Sequence, residues 1–294
     1  MTPNSFDLIA SKLLAGEPLA NVDITKLSVS RDLIQLGSLA DQLRRARCGD
    51  QVTFVRVFEV SVEADVTELE FPAAAGEVRL NGCPDSVDSV IELVRRVVPL
   101  AGDVPVTGFE LNCLVGLCNE DVRMFERFVR RLKESGLAMI AEAPLDKIDD
   151  SSWIERSAGI GLAVARLTVH GTASVKDAVR RVSSWGCATG VKAFAPLPRR
   201  TVGMPSTGYE DVRQVALARL LVDNIPSIQV DWSLYGPKLA QVALTFGASD
   251  VDSVSPVDSL EHGRRRAPLE VVKQNIRAAS LVPVQRNGRF ETMS

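Results

Sequence analysis

Histidine is almost missing from this chain of 294 residues, with only His170 and His262 present. Cysteine is sparse and scattered, as Cys48, Cys83, Cys113, Cys118 and Cys187. An odd number of dispersed thiols does not form a disulfide framework and suits a reducing compartment. Cys113 and Cys118 are the one close pair, and their spacing is not C-x-x-C; with no clustered histidine nearby, a zinc site is not expected. The thiols therefore read as small hydrophobes in loops or at strand ends. A cationic excess is also missing, because 34 Lys+Arg face 37 Asp+Glu for a net charge of −3, which argues against nucleic-acid binding. No apolar run is long enough for a membrane span, and the start MTPNSFDLIASKLLAGEP lacks the basic and apolar regions of a signal peptide. The expectation is a cytoplasmic protein.

What the chain does contain is alternation. Ser5 to Leu14 and Asp32 to Arg47 have helical apolar spacing, with Gly49 as a stop. From Gln51 onward, short β-rich runs alternate with amphipathic helices. The strands are expected at Gln51 to Ser61, Glu77 to Leu80, Val106 to Leu111, Ala138 to Ala141, Leu162 to Thr168, Gly190 to Phe194, Ser227 to Val230 and Asp250 to Val254. Eight strands with intervening helices predict an α/β fold, a (β/α)8 TIM-type barrel. Val62 to Gly76 has room for an extra strand and a turn but no full covering helix, so the barrel is degenerate at its first unit. Residues 1–50 form a helical lead-in, 51–266 the barrel, and 267–294 a C-terminal helix and tail with a hairpin around Asn287 and Gly288.

Residues Ser206 to Asp252 carry a more specific pattern. Arg219, Leu220, Leu221, Asp223, Asn224, Ile225 and Pro226 are followed by Trp232, then Gly236, Ala240, Gln241, Ala243 and Leu244, and finally Phe246, Gly247, Ala248 and Asp250. This run resembles the C-terminal barrel segment of the radical S-adenosylmethionine (SAM) enzymes of futalosine-dependent menaquinone biosynthesis, the aminofutalosine synthase and dehypoxanthine futalosine cyclase group. Leu36, Gly37, Leu39 and Ala40 resemble that family's helical lead-in, and Pro283, Val284 and Arg286 its C-terminus.

The resemblance implies a [4Fe–4S] cluster held by a C-x3-C-x2-C loop after the first strand, where three soft thiolates must converge. Here that loop reads FEVSVEADVTELEF, with no cysteine. The expectation drawn from this departure is that the cluster and SAM are both absent and that no metal is held. Other family positions also differ. Asn81-Gly82-Cys83-Pro84-Asp85 keeps part of a Gly-Gly-x-x-Pro turn, His170-Gly171-Thr172-Ala173 replaces Gly-His-x-Glu, and Asp252-Ser253-Val254 replaces Asp-Gly-Thr.

Candidate site residues follow from strand ends, since barrel enzymes build sites at the C-terminal face. His170 is either a general acid/base or a loop histidine satisfied by backbone. Glu110 and Asn112, read as ending the third strand, could reach the mouth, Glu110 as a second acid/base. Arg199 and Arg200 could clamp a carboxylate or phosphate, or lie solvated in a loop. Lys192 points either into the barrel or toward its rim. Asp231 and Trp232 end the seventh strand, where Trp232 either stacks on a ring or packs beneath the loops. Asp250 and Asp252 read as cap and turn residues rather than a catalytic pair.

Two functions compete at this point. One is a non-catalytic homologue that binds a nucleoside-like or aromatic carboxylate ligand, or pairs with a cluster-bearing relative. The other is an enzyme of another class performing metal-free acid/base chemistry on a small anionic substrate, through His170 or Glu110 with Arg199 or Arg200. A homo-oligomer is compatible with either.

Overall fold

The computed structural model describes residues 5–169, 177–178, 181–182, 190–198, 206–258 and 269–293. Three helices lead in: α1 (Ser5–Ala15), α2 (Asn21–Val29) and α3 (Leu33–Cys48). Asp32 caps α3 by accepting from the Gln35 N–H, and Gly49 ends it at φ 63°. Leu36, Leu39, Ala40 and Leu43 bury one face of α3. Gly37 lies against the Phe246 ring so closely that a Cβ there would meet it at 2.5 Å. That absent side chain lets the lead-in dock on the barrel.

The barrel strands are β1 (Gln51–Ser61), β2 (Glu77–Asn81), β3 (Val106–Glu110), β4 (Met139–Pro144), β5 (Val164–Val169), β6 (Ala193–Pro196), β7 (Ser227–Asp231) and β8 (Asp250–Val254). Each pairs in parallel with the next, and β1 pairs with both β2 and β8, so the sheet closes. Around it lie α4 (Val87–Ala101), α5 (Leu111–Leu117), α6 (Val122–Glu134), α7 (Ser152–Ile160), α8 (Gly208–Leu221), α9 (Trp232–Leu244) and α10 (Leu269–Ala278). The fold is thus the α/β barrel that the alternation implies.

Between β1 and β2 there is no helix beyond a 3-10 turn at Val66–Glu68, and no extra strand. The segment still covers the wall, because Phe71 packs edge-on against Phe58 at 5.3 Å and Leu69 rests on the core. Two further differences concern local chemistry. Asn112 does not end a strand; β3 stops at Glu110 and α5 begins at Leu111. The tail does turn back at Asn287, with an Arg286–Thr292 bridge, but its first arm is a ninth strand, β9 (Val282–Gln285), parallel to β1. Since Thr53 and Phe54 already pair with β8 on one edge, β9 occupies the other edge, below β2.

The interior is ionic. Asp250 and Asp252 are neither caps nor turns: both are fully buried strand residues with side chains inside the barrel. Two guanidinium nitrogens of Arg79 donate to the two Asp252 oxygens at 2.8 and 2.9 Å, and Arg79 Nε donates to Glu77 at 2.8 Å. Arg166 bonds Asp252 and Glu142. From below, Arg286 donates twice to Asp250 at 2.7 Å, and Gln229 and Thr53 complete that carboxylate's shell. Gly288 seals the base, since a Cβ there would meet Glu77 at 2.9 Å.

Burial alone would push the Glu77 and Asp250 carboxyls up, but neighbouring guanidiniums, with Arg79 foremost for Glu77 and Arg286 for Asp250, hold both below their ordinary 4.5 and 3.8. Carboxyls depressed by folding stabilise the native state above their unfolded values and lose that contribution as pH falls through the folded ones. The melting temperature should therefore hold steady through neutrality and fall as pH drops below about 4. Asp252→Ala leaves Arg79 and Arg166 buried without their shared anion and should cost about 3–5 kcal/mol in urea unfolding. A loss under about 1 kcal/mol would contradict this reading of the network.

Candidate functional site

Because salt bridges fill the interior, any open site lies above them, at the C-terminal strand ends. A cleft of about 460 Å³ opens there between β1, β2, β8 and the start of α9. Its polar lining is Glu59, Ser61, Asn81, Ser233, Ser253 and Ser255, with Val57, Phe58 and Val257 as apolar wall. Asp231 lies beneath it. This carboxylate caps α9 by accepting from the Leu234 N–H at 2.9 Å, and it also accepts from the Ser233 hydroxyl at 2.7 Å and the Ser253 hydroxyl at 2.8 Å. Ser253 has a positive φ of 57°, in a region that disfavours any residue with a Cβ.

Other depressions exist among the described residues, including a shallow one of about 580 Å³ at Cys118, Asp121 and Arg127. One of about 420 Å³ lies beside α5 and α7, lined by Asn112, Lys147 and Trp153 among others. A groove of about 470 Å³ runs between the lead-in helices, away from the strand ends. Fold geometry favours the cleft at the mouth, since strand C-termini converge there.

The structure separates the candidate residues read from the sequence. Glu110 stands at the end of β3, but its carboxylate accepts from Lys147 at 2.7 Å, and it does not line the mouth cleft. Asn112 lines the smaller depression, and its side-chain oxygen is buried with no hydrogen-bond partner. Lys192 precedes β6, at the end of the barrel opposite the mouth. Trp232 is 1% exposed and packs at the first turn of α9, so it offers no face for stacking, and its Nε1 is unpartnered. Asp231 is buried at the cleft floor, a supporting group rather than a surface one. His170, Arg199 and Arg200 fall outside the described residues, as do His262 and Cys187.

Sequence reading missed Glu59, Ser61, Ser233, Ser253 and Ser255. Their signal was faint: single polar residues at the ends of three strand-to-loop segments, with nothing in their spacing to join them.

Comparisons with known proteins give a consistent picture. Residues 195–294 match the family model described as the CofH/MqnC C-terminal region. An aminodeoxyfutalosine synthase of Thermus thermophilus is 34% identical over 355 aligned positions, covering 96% of this chain and 94% of the relative. A 5-amino-6-(D-ribitylamino)uracil–L-tyrosine 4-hydroxyphenyl transferase of Methanoculleus marisnigri is 32% identical, covering 83% and 84%. Among solved structures, methylornithine synthase superposes with a TM-score of 0.68 at 15% identity, covering 94% of this chain and 97% of that one. A maturase of the [FeFe]-hydrogenase gives 0.66 at 11% identity, covering 95% and 76%. At such identities the structural likeness speaks for the fold.

These matches correct one expectation. A missing motif led to the inference that the cluster and SAM are absent; the relatives are radical SAM enzymes, which bind both groups, so the inferred absence does not stand. The donor set described here nevertheless does not fit a three-thiolate cluster site. The β1–β2 connection has no cysteine, and among the described residues no three His, Cys, Asp or Glu side chains are grouped to hold a metal. Cys118 is buried, and desolvation, with Asp121 adding to it, pushes its thiol up to about 11.

The reading of all the thiols as unpaired hydrophobes is also corrected. Cys83, just past β2, is disulfide-bonded to Cys113 at the start of α5, with Cα atoms 5.9 Å apart. Parallel strands β2 and β3 bring the two together across 30 residues of sequence, a proximity that spacing alone does not reveal. Closing a loop of that length stabilises by about 3.6 kcal/mol. Iodoacetamide should label Cys83 and Cys113 only after reduction, with peptide mass spectrometry reading each site. Labelling of both without reductant would contradict the pairing.

Proposed function

The chain belongs to the futalosine-pathway radical SAM family, and from that premise we propose that it serves menaquinone biosynthesis by holding a nucleoside-like small molecule in the mouth cleft, without transforming it. The observation that carries this reading is the division of the barrel into a filled interior and an open polar mouth. Glu77, Arg79, Glu142, Arg166, Asp250, Asp252 and Arg286 are committed to one another, so a ligand has no room below Asp252. Above it, hydroxyls and an amide line a space of about 460 Å³, at the lower end of the usual range for small-molecule sites.

Such a lining supplies hydrogen bonds to ring nitrogens and sugar hydroxyls, with Phe58 and Val257 offering apolar contact. It does not pair a general acid with a general base. The alternative, metal-free acid/base catalysis on an anionic substrate, loses Glu110 as a candidate, because Lys147 holds that carboxylate away from the cleft. A cluster-bearing relative or a second copy could pair through the apolar side chains exposed on the lead-in, Val22, Val29 and Ile34.

Isothermal titration with adenosine should give saturable one-site binding, with adenosine recovered unchanged after prolonged incubation. Asn81→Ala, which removes an exposed amide at the cleft edge, should weaken binding about tenfold, equivalent to about 1.4 kcal/mol. Lys192→Ala, at the opposite end of the barrel, should leave it unchanged. Absence of saturable binding, or conversion of adenosine to a product, would overturn the reading.

A further inference from the structure

We infer that Ser233 and Ser253 form a hydrogen-bond acceptor patch that selects a ligand carrying a vicinal diol and rejects an anionic group in its place; this rests on the mouth cleft being the ligand site. The reasoning begins with Asp231. An ionised carboxylate accepts hydrogen bonds and has none to give, so each serine hydroxyl bonded to it must be the donor. Ser233 Oγ donates to one Asp231 oxygen at 2.7 Å and Ser253 Oγ to the other at 2.8 Å. Each hydroxyl has only one proton, and Asp231 takes both. What the two hydroxyls have left to offer a ligand in the cleft they line is therefore lone pairs, not protons.

Asp231 is itself held in place. Its Oδ1 caps α9 through the Leu234 N–H, and the carboxylate is only 7% exposed. The orientation of both hydroxyls is thus set before any ligand arrives. Ser253 Oγ accepts one further bond, from Arg79 at 3.4 Å, which leaves it a single free lone pair, whereas Ser233 keeps two. Two acceptors, one in the first turn of α9 and one in β8, both anchored to one carboxylate, match two adjacent O–H donors. Phosphate or carboxylate oxygens would face lone pairs instead.

The surrounding charge points the same way. Inside the described barrel and at the cleft floor, the five carboxylates of Glu77, Glu142, Asp231, Asp250 and Asp252 outnumber the guanidiniums of Arg79, Arg166 and Arg286, while Arg56, which donates to the Ser255 carbonyl at the cleft wall, is paired with Asp258. Glu59 adds another carboxylate at the rim. An anion entering this cleft meets repulsion from below and beside it.

Backbone strain supplies an independent observation. Ser253 holds φ at 57°, where glycine would sit without cost. Strain of this kind persists where the surrounding structure over-determines it, and here Asp231 and Arg79 hold the Ser253 side chain. The atom in question is Oγ, which bonds Asp231 and Arg79 from a residue that lines the cleft. Ser253 is accordingly a ligand-positioning residue.

The experiment compares three probes on the full chain by calorimetry: adenosine, 2′,3′-dideoxyadenosine and adenosine 3′-monophosphate. Wild type should bind adenosine at least about tenfold more tightly than either of the others. Ser253→Gly, which removes Oγ and relieves the backbone, and Ser253→Ala, which removes Oγ and keeps the backbone as it is, should each lose most of that preference. Ser233→Ala should act in the same direction. Dideoxyadenosine affinity should be the same in wild type and variants, a result that also reports an intact cleft where a variant is less stable. Equal affinity of wild type for adenosine and its dideoxy analogue, or full retention of the preference in the Ser253 variants, would overturn the acceptor patch while leaving the cleft assignment standing. Failure of wild type to bind any of the three would overturn the cleft assignment, and the patch with it.

Discussion

The bidentate hold of Arg79 on Asp252 is the contact from which the rest of this barrel is organised. It ties β2 to β8 across the interior, and through Asp252 it recruits Arg166 from β5. A second carboxylate two residues earlier, Asp250, repeats the arrangement with Arg286, which arrives from outside the barrel behind β9. Barrel interiors are more often layers of branched apolar side chains. Here the layers are ion pairs, each costly to desolvate and each kept charged by the others. Burial pulls the Arg166 guanidinium down, and repulsion from Arg79 adds to it, but Glu142 and Asp231 pull the other way. It remains a cation, as a guanidinium does throughout ordinary pH.

That filling determines where function can lie. A solid ionic core leaves no channel through the barrel, so the strand ends provide the accessible chemistry. It also explains the unusual weight of the C-terminal segment. Arg286 closes the charge balance at Asp250, and Gly288 seals the base against Glu77. Arg79 even reaches from this network to Ser253, on the wall of the cleft, so core and site share a residue.

The alternation of strands and helices was legible in the sequence because hydrophobic period and strand propensity act locally. β8 has the expected bounds of Asp250 to Val254. The family resemblance was legible for a similar reason, since Arg219 to Pro226 and Trp232 to Asp250 form a contiguous pattern. What escaped was everything set by closure. Asp250 and Asp252 looked like turn residues because a short alternating run with two acids resembles a cap; only the partners from β2, β5 and the tail make a buried position tolerable for them. Cys83 and Cys113 looked unpaired because their proximity depends on β2 lying beside β3. Glu110 sat at a plausible strand end, yet Lys147 claims it. The cleft serines came from three segments far apart in sequence, and a lone serine carries no spacing signal. The missing cluster motif was read correctly as a sequence fact, but the step from a missing motif to a missing cofactor went further than a motif allows, as the near full-length relatives make plain.

Amide hydrogen exchange with and without adenosine distinguishes a ligand held at the mouth from one held in the interior. Added protection should be confined to peptides spanning residues 57–61, 81–82, 231–234 and 253–257, with β4 and β5 unchanged. Protection that appears instead along β4 and β5, with none at the mouth, would show that the ionic interior opens to admit the ligand and would contradict the account.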